Sequence, residues 1–165
     1  MESLVAIAIL TLAIAGPLTI VSNGITNTAY AKDQITAVYL AQEGIEAIRN
    51  MRDSDALAGI LWLQGFDAAC KAANSNCGIT ITGSPPVLGT KDCPTPEDDC
   101  RLYYESSTGL YSHEPNGEPT RFTRTFRVVP VDAKEARLTV TVAWQTNPTL
   151  PPRTFTVTEE LLNWQ

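Results

Sequence analysis

Residues 3–31 carry no charge at all: after Glu2 the next ionisable group of full charge is Lys32. The run Leu4-Val5-Ala6-Ile7-Ala8-Ile9-Leu10-Thr11-Leu12-Ala13-Ile14-Ala15 continues through Gly16-Pro17 into Leu18-Thr19-Ile20-Val21, about the 20 residues that a bilayer-spanning helix needs. A secretory signal requires a basic segment ahead of its apolar core and a small-residue cleavage site behind it. No Lys or Arg precedes this run, and beyond Ala29-Tyr30-Ala31 the sequence continues in helical register. A plain membrane anchor remains, but a carboxylate at its head is costly in hydrocarbon without a cationic partner. Glu2 therefore asks for a role.

The stretch Glu2-Ser3-Leu4-Val5-Ala6-Ile7-Ala8-Ile9-Leu10, followed by Gly16-Pro17, resembles the start of a mature type IV pilin or pseudopilin. Tyr39-Leu40-Ala41-Gln42-Glu43-Gly44-Ile45-Glu46-Ala47-Ile48-Arg49-Asn50-Met51-Arg52-Asp53 is similar to the same helix in minor-pilin-like proteins, and the last strands ending in Leu161-Leu162-Asn163-Trp164 extend the likeness. The family's glutamate comes four residues after the first mature residue, whereas Glu2 follows Met1 directly.

That resemblance implies an α+β fold in which a long N-terminal helix has an apolar half protruding and an amphipathic half packed on a C-terminal antiparallel sheet. It implies a structural filament subunit rather than an enzyme, with itself as partner in a helical homopolymer. It further implies a prepilin peptidase and a pilus assembly machinery as processing partners, the bacterial inner membrane as the site before assembly, and an extracellular pilus on the cell surface after it. Met1 and Glu2 would be the assembly residues, the first methylated and the second neutralising the terminal amine of a neighbour. Gly16 and Pro17 would mark where the helix melts in the fibre. The resemblance implies a fibre for motility, adhesion, DNA uptake or secretion, without choosing among them. The alternatives are a minor pilin or type II secretion pseudopilin, and, from a different class, a membrane-anchored binding protein that never polymerises and holds its ligand with residues 93–119.

With residues 1–31 given to membrane or filament, about 130 of the 165 residues remain, enough for a single core over 32–165. The net charge of −6 argues against a body that binds nucleic acid along its whole face, which needs clustered Lys and Arg. No specific nucleic acid is inferred. Arg121, Arg124 and Arg127 lie close together and read as solvated or paired strand residues. The four cysteines, Cys70, Cys77, Cys93 and Cys100, read as two disulfides in an oxidising compartment. Pairing Cys70 with Cys77 and Cys93 with Cys100 closes the shortest loops and costs least entropy, with two other pairings open. A zinc site is the sharper alternative, but zinc ligands come as tighter pairs.

The helix from Glu2 is expected to run to about Ser54, about 80 Å at the α-helical rise. Gly16-Pro17 should break or loosen it, and Asn23-Gly24 is a second weak point. Over 32–54 a stripe of Ile35, Val38, Ala41, Ile45 and Ile48 should pack on a sheet. A second stripe, Ala37, Leu40, Gly44, Ala47 and Met51, is small enough for a neighbouring helix to approach.

Residues 56–119 read as a long disulfide-bearing connection, with a short helix around Leu61-Trp62-Leu63, a strand over 78–82 and a surface loop where Pro85-Pro86, Gly89, Pro94 and Pro96 lead into Glu97-Asp98-Asp99. Leu102-Tyr103-Tyr104 and Leu110-Tyr111-Ser112 suit a short hairpin. Over 121–165 the period is two: Phe122, Phe126 and Val128, then Leu138, Val140, Val142 and Trp144, then Phe155 and Val157 on one face, threonines on the other. Such alternation predicts an antiparallel sheet covered on one side, with Trp164 as a core or edge anchor.

No catalytic constellation stands out. His113, the only histidine, lies in a Gly/Pro/Glu-rich stretch without a motif around it. There is no phosphate-binding glycine loop and no helical pair of histidines. The acids over 94–99 match no defined calcium loop. No cofactor is expected.

Overall fold

The computed structural model describes residues 2–82, 87–95, 100–146 and 151–163. The terminal Met1, the anchor expected at Trp164, Pro85-Pro86, Pro96 and the acidic run Glu97-Asp98-Asp99 lie outside the described residues. Element α1 spans Glu2–Leu57, 56 residues of continuous α-helix. The chain forms two compact units, Met1–Ile35 and Thr36–Gln165, so α1 contributes to both.

Of the break or loosening expected at Gly16-Pro17, the break does not occur; the proline is accommodated inside helix α1. Proline removes one amide donor, so the Ala13 carbonyl receives no bond from it. Its ring also crowds the Ala13 carbonyl, while the further clash with the preceding residue's Cβ is avoided because Gly16 has none. The helix therefore loses one hydrogen bond and continues.

The second unit is α+β, with residues 36–57 of α1 packed on a seven-stranded antiparallel sheet. Its strands are β1 (Cys77–Thr82), β2 (Val87–Asp92), β3 (Arg101–Glu105), β4 (Leu110–Ser112), β5 (Glu118–Pro130), β6 (Glu135–Trp144) and β7 (Arg153–Leu162). The 13-residue β5 is the hub. One of its edges takes β6 along residues 122–130, and β7 follows outside β6. Its other edge is shared: the β3–β4 hairpin pairs with its first half, and the β1–β2 hairpin reaches it through Cys77 opposite Phe126. The sheet forks there.

Alternation in β5 and β6 follows the expected period, with Phe122, Phe126, Val128, Leu138, Val140, Val142 and Trp144 buried on the helix side. Phe155 and Val157 of β7 are half-buried on the same side.

Residues 56–119 are not the long connection that their prolines and acids suggested. The segment 87–92, read as loop, is the strand β2, matched to β1 from Cys77 opposite Asp92 to Thr82 opposite Val87. The short helix expected at Leu61-Trp62-Leu63 is absent: these residues form turns, with Leu63 at φ 59°. A 3₁₀ turn forms later, at Ala68–Lys71, where the Asp67 carboxylate accepts the Ala69 amide at 3.0 Å and so caps its first turn. The hairpin at 102–112 forms as expected, turned at Gly109 with φ 72°.

The face that α1 turns to the sheet also differs from expectation. Ala37, Leu40, Ala41, Ile48 and Met51 are buried, and Gly44 with them, whereas Ile35 is 57% exposed and Val38 and Ile45 are half-buried. Ala41 and Ile48 of the expected stripe are thus in the core, where Ala37, Leu40, Gly44 and Met51 of the small-residue stripe join them. The reason is Arg124, whose position in β5 has the same parity as Phe122 and Phe126, so its side chain enters the core with only 3% exposure. Its guanidinium donates to the Leu40 carbonyl at 3.1 Å and pairs with Glu43 at 3.2 Å. A Cβ on Gly44 would stand 3.2 Å from both Arg124 Cδ and Val140 Cγ1.

Larger side chains at that spot have no room. Gly44→Val is expected to lower stability by about 1–3 kcal/mol, the usual cost of overpacking a filled core. Thermal unfolding followed by circular dichroism measures it, and an unchanged midpoint would mean that the helix rides further from the sheet than described.

Candidate functional site

Two features stand out as candidates. The first is the apolar surface of the N-terminal unit. Leu4, Leu12 and Ile20 are more than 70% exposed, and Leu18 and Ile25 more than 60%. The helix is long and apolar enough over this stretch to cross a membrane. Three of its threonines bond back to its own backbone. Thr11 Oγ1 donates to the Ile7 carbonyl at 3.0 Å, Thr26 to Ser22 at 3.0 Å and Thr28 to Gly24 at 2.9 Å. Bonds of this kind leave the hydroxyls satisfied without water. Glu2 sits exposed in the first turn, where the unpaired amides of the helix start favour a negative charge. Gly16 has open space around it, with nothing within 4 Å of an added Cβ.

The second is the cross-linked fork of the sheet. Cys70 pairs with Cys77 and Cys93 with Cys100, with Cα separations of 5.6 and 5.7 Å, inside the usual range for a bridge. The first ties the 3₁₀ turn to the start of β1. The second ties the end of β2 to the start of β3, joining the two hairpins that share the β5 edge. All four cysteines are fully buried and none is a free thiolate, so the zinc alternative has no ligands. Among the described residues no group of three His, Cys, Asp or Glu side chains is placed to hold a metal ion.

His113, which carried no motif, proves to be the centre of this fork. It follows β4 and is 3% exposed. Its Nδ1 lies 2.6 Å from the Ile79 carbonyl oxygen on β1, and its Nε2 lies 3.0 Å from the Arg124 carbonyl oxygen on β5. One ring thus bridges the gap between three strands. Gly78 makes the space for it: a Cβ there would stand 3.0 Å from Cys100 Sγ and 3.2 Å from His113 Cδ2. Burial, seconded by the positive Arg124 side chain, pushes the imidazole down to about 4, against the pull of the two carbonyls. The ring is therefore neutral at pH 7 and has a single N–H. That single N–H can donate to the Ile79 carbonyl or to the Arg124 carbonyl, but not to both.

Of the predicted residues, the structure brings the cysteines together in two pairs and places Glu2, Gly16 and Pro17 apart along one helix. It separates the arginine trio: Arg124 enters the core, while Arg121 and Arg127 stay on the opposite face of β5. Strict parity along 122–128 was the signal for Arg124; His113 had none.

These features define an α+β protein with an apolar N-terminal helix fit to enter a membrane and a disulfide-stapled sheet. No protein-family model, no curated protein and no solved structure matches the chain.

Proposed function

We propose that the chain is a structural subunit of a type IV pilus-like extracellular filament, whose mechanism is assembly rather than catalysis. The observation that carries this reading is the exposed apolar surface of the helix between Leu4 and Ile25, with one acid at its head and Thr11, Thr26 and Thr28 bonded back to the helix. Before assembly that surface is held in the bacterial membrane. In the fibre the same segments pack together, so apolar burial lost from lipid is regained between subunits. Glu2 then pairs with the terminal amine of a neighbouring copy, setting the register of docking. Gly16-Pro17, one hydrogen bond short of a regular helix, is where the segment can loosen as the fibre forms. The disulfide-bearing unit forms the outer body.

Electron microscopy of material sheared from producing cells, with mass spectrometry of the fibres, tests the proposal. Fibres built mainly of this chain with a methylated first residue support it. Finding the chain as a trace in fibres of another subunit would make it a minor pilin or secretion pseudopilin. Finding it only in membranes would favour the anchored binder. Glu2→Ala is expected to leave a folded, membrane-held subunit whose fibre yield falls roughly tenfold or more, because a charge left unpaired in an apolar core costs several kcal/mol. Normal fibres from that variant would remove Glu2 from the mechanism.

A further inference from the structure

Where the turn ahead of β1 meets the outer face of β5 and β6 there is a small recess of about 90 Å³, lined by Ser75, Asn76, Thr125, Arg127, Thr139 and Thr141 among others. Register fixes its sheet wall. Arg127 stands beside Thr139, and Thr125 beside Thr141 one row along. Both rows face away from α1, because Phe126 and Val140 between them are buried on the helix side. The opposite wall is held in place covalently: Cys77 is bridged to Cys70 and stands opposite Phe126 in the ladder, which keeps Ser75 and Asn76 against β5.

Arg127 is fixed at the rim, its Nη1 donating to the Ala73 carbonyl at 3.0 Å. A carbonyl is neutral, so this bond orients the guanidinium while leaving its charge uncompensated and most of its N–H donors unused. Among the described residues no carboxylate pairs with it. The rows Thr125-Thr141-Thr156 and Arg127-Thr139-Thr158 across β5, β6 and β7 contain no acid. The next row brings Glu160, and that carboxylate is already bonded to Arg137 at 2.8 Å. The side chains around Arg127 are unsatisfied as well: the Thr125 and Thr139 hydroxyls and the Asn76 amide have no hydrogen-bond partner among the described residues.

We propose that this recess binds one tetrahedral oxyanion group, phosphate or sulfate, either free or as an ester of a larger molecule. A guanidinium offers paired, charge-assisted donors to such a group. The hydroxyls on β5 and β6 and the amide on the turn supply donors for the oxygens that one guanidinium leaves over. A carboxylate has two oxygens, which the guanidinium fork satisfies alone, so it gains less from the other three groups. The volume sets the size: it is well below the roughly 300 Å³ at which small-molecule pockets begin, so the body of an ester stays outside. A single cation does not make the track that a nucleic-acid backbone requires. The recess lies in the second unit, away from the apolar N-terminal surface, so it stands or falls independently of filament assembly.

The test uses the isotope-labelled full chain in maltoside micelles, in a buffer without phosphate or sulfate. Amide chemical shifts are followed while inorganic phosphate, sulfate, glycerol 3-phosphate or acetate is added at constant ionic strength. Saturable shifts confined to residues 73–76, 125–127 and 139–141 are expected with the tetrahedral anions, in the millimolar range, with little response to acetate. Equal affinity for the two phosphates assigns the free ion, and tighter binding of glycerol 3-phosphate assigns the ester. Arg127→Gln should weaken phosphate binding by about tenfold or more, the size of a lost charge-assisted hydrogen bond. Thr139→Val should weaken it severalfold with an unchanged unfolding midpoint, while Arg137→Gln, one row away on the same face, should leave it unaltered. The proposal is overturned by the absence of saturable shifts, by acetate binding as tightly as phosphate, by undiminished affinity in Arg127→Gln, or by an equal loss in Arg137→Gln.

Discussion

Reducing both disulfides is expected to lower the unfolding free energy by about 5 kcal/mol. Each bridge joins cysteines seven positions apart. In the loop-entropy account, closing so short a loop removes about 2.5 kcal/mol of freedom from the unfolded chain, and the two contributions roughly add. The loss should fall unevenly. β5, β6 and β7 are held by full-length ladders, whereas β1 meets β5 through one register pair and β3 meets it through a few. The hairpins lean on their bridges more than the meander does. Because the bridges are buried, the chain should be reduced while unfolded and then returned to native conditions. Urea titrations of oxidised and reduced protein give the difference in stability, and limited proteolysis gives its location. Cleavage within residues 68–113 should appear first, with residues 118–162 intact. An unchanged digestion pattern after reduction would remove the staple from the account of this region.

Lowering the pH from about 6.5 to about 4 should cost the fold about 3 kcal/mol through His113 alone. In the unfolded chain the imidazole takes up a proton near its ordinary value of 6.5, whereas in the folded chain burial holds it down to about 4. The unfolded state therefore binds more protons throughout that window, so stability present above pH 6.5 is lost as the pH falls towards 4. The positively charged Arg124, and Lys91 more weakly, oppose the added proton; the Ile79 and Arg124 carbonyls favour it but do not prevail. Denaturant midpoints measured at several pH values check the slope. His113→Asn removes the titrating group, so its stability profile should be flatter between pH 6.5 and 4 even where its absolute stability is lower. A variant profile parallel to the parent's would mean that carboxylates elsewhere carry the acid sensitivity.

Those parts of the fold with a single strong period were readable from the sequence. β5 and β6 alternate large apolar residues with threonine or arginine over a whole strand, and only one face can then be buried. The long helix was equally plain, because nothing between Ser3 and Ala31 weakens it except Gly16-Pro17 and Asn23-Gly24. Strand β2 was missed because Gly89, Thr90, Lys91 and Asp92 have the composition of a loop. They are a strand because β1 leaves an edge that six register pairs satisfy. The core face of α1 was legible only in part, through Ala41 and Ile48. Ile35 and Ile45 looked like the better core residues by size, but a guanidinium entering from Arg124 needs a glycine opposite it, and Gly44 supplies one.

The cysteine pairing followed from loop length alone, whereas His113 was illegible. Its partners are the backbone carbonyls of Ile79 and Arg124, and a carbonyl leaves no trace in the residue alphabet. The ring's position becomes visible only when β1, β4 and β5 are brought together in space.

The fork at β5 also sets an order of events for the folding chain. Both hairpins precede β5 in the sequence, and each has contacts that need nothing downstream: local turns, neighbouring strands and cysteines seven positions apart. Neither can join the sheet until residues 118–130 arrive. Pairing β1 with β5 closes a loop of nearly fifty residues, between Cys77 and Phe126, and that entropy must be met before the contact rewards it. A chain made from its N-terminus would thus hold two finished hairpins in waiting, and the central strand, late to appear, would gather them in one step.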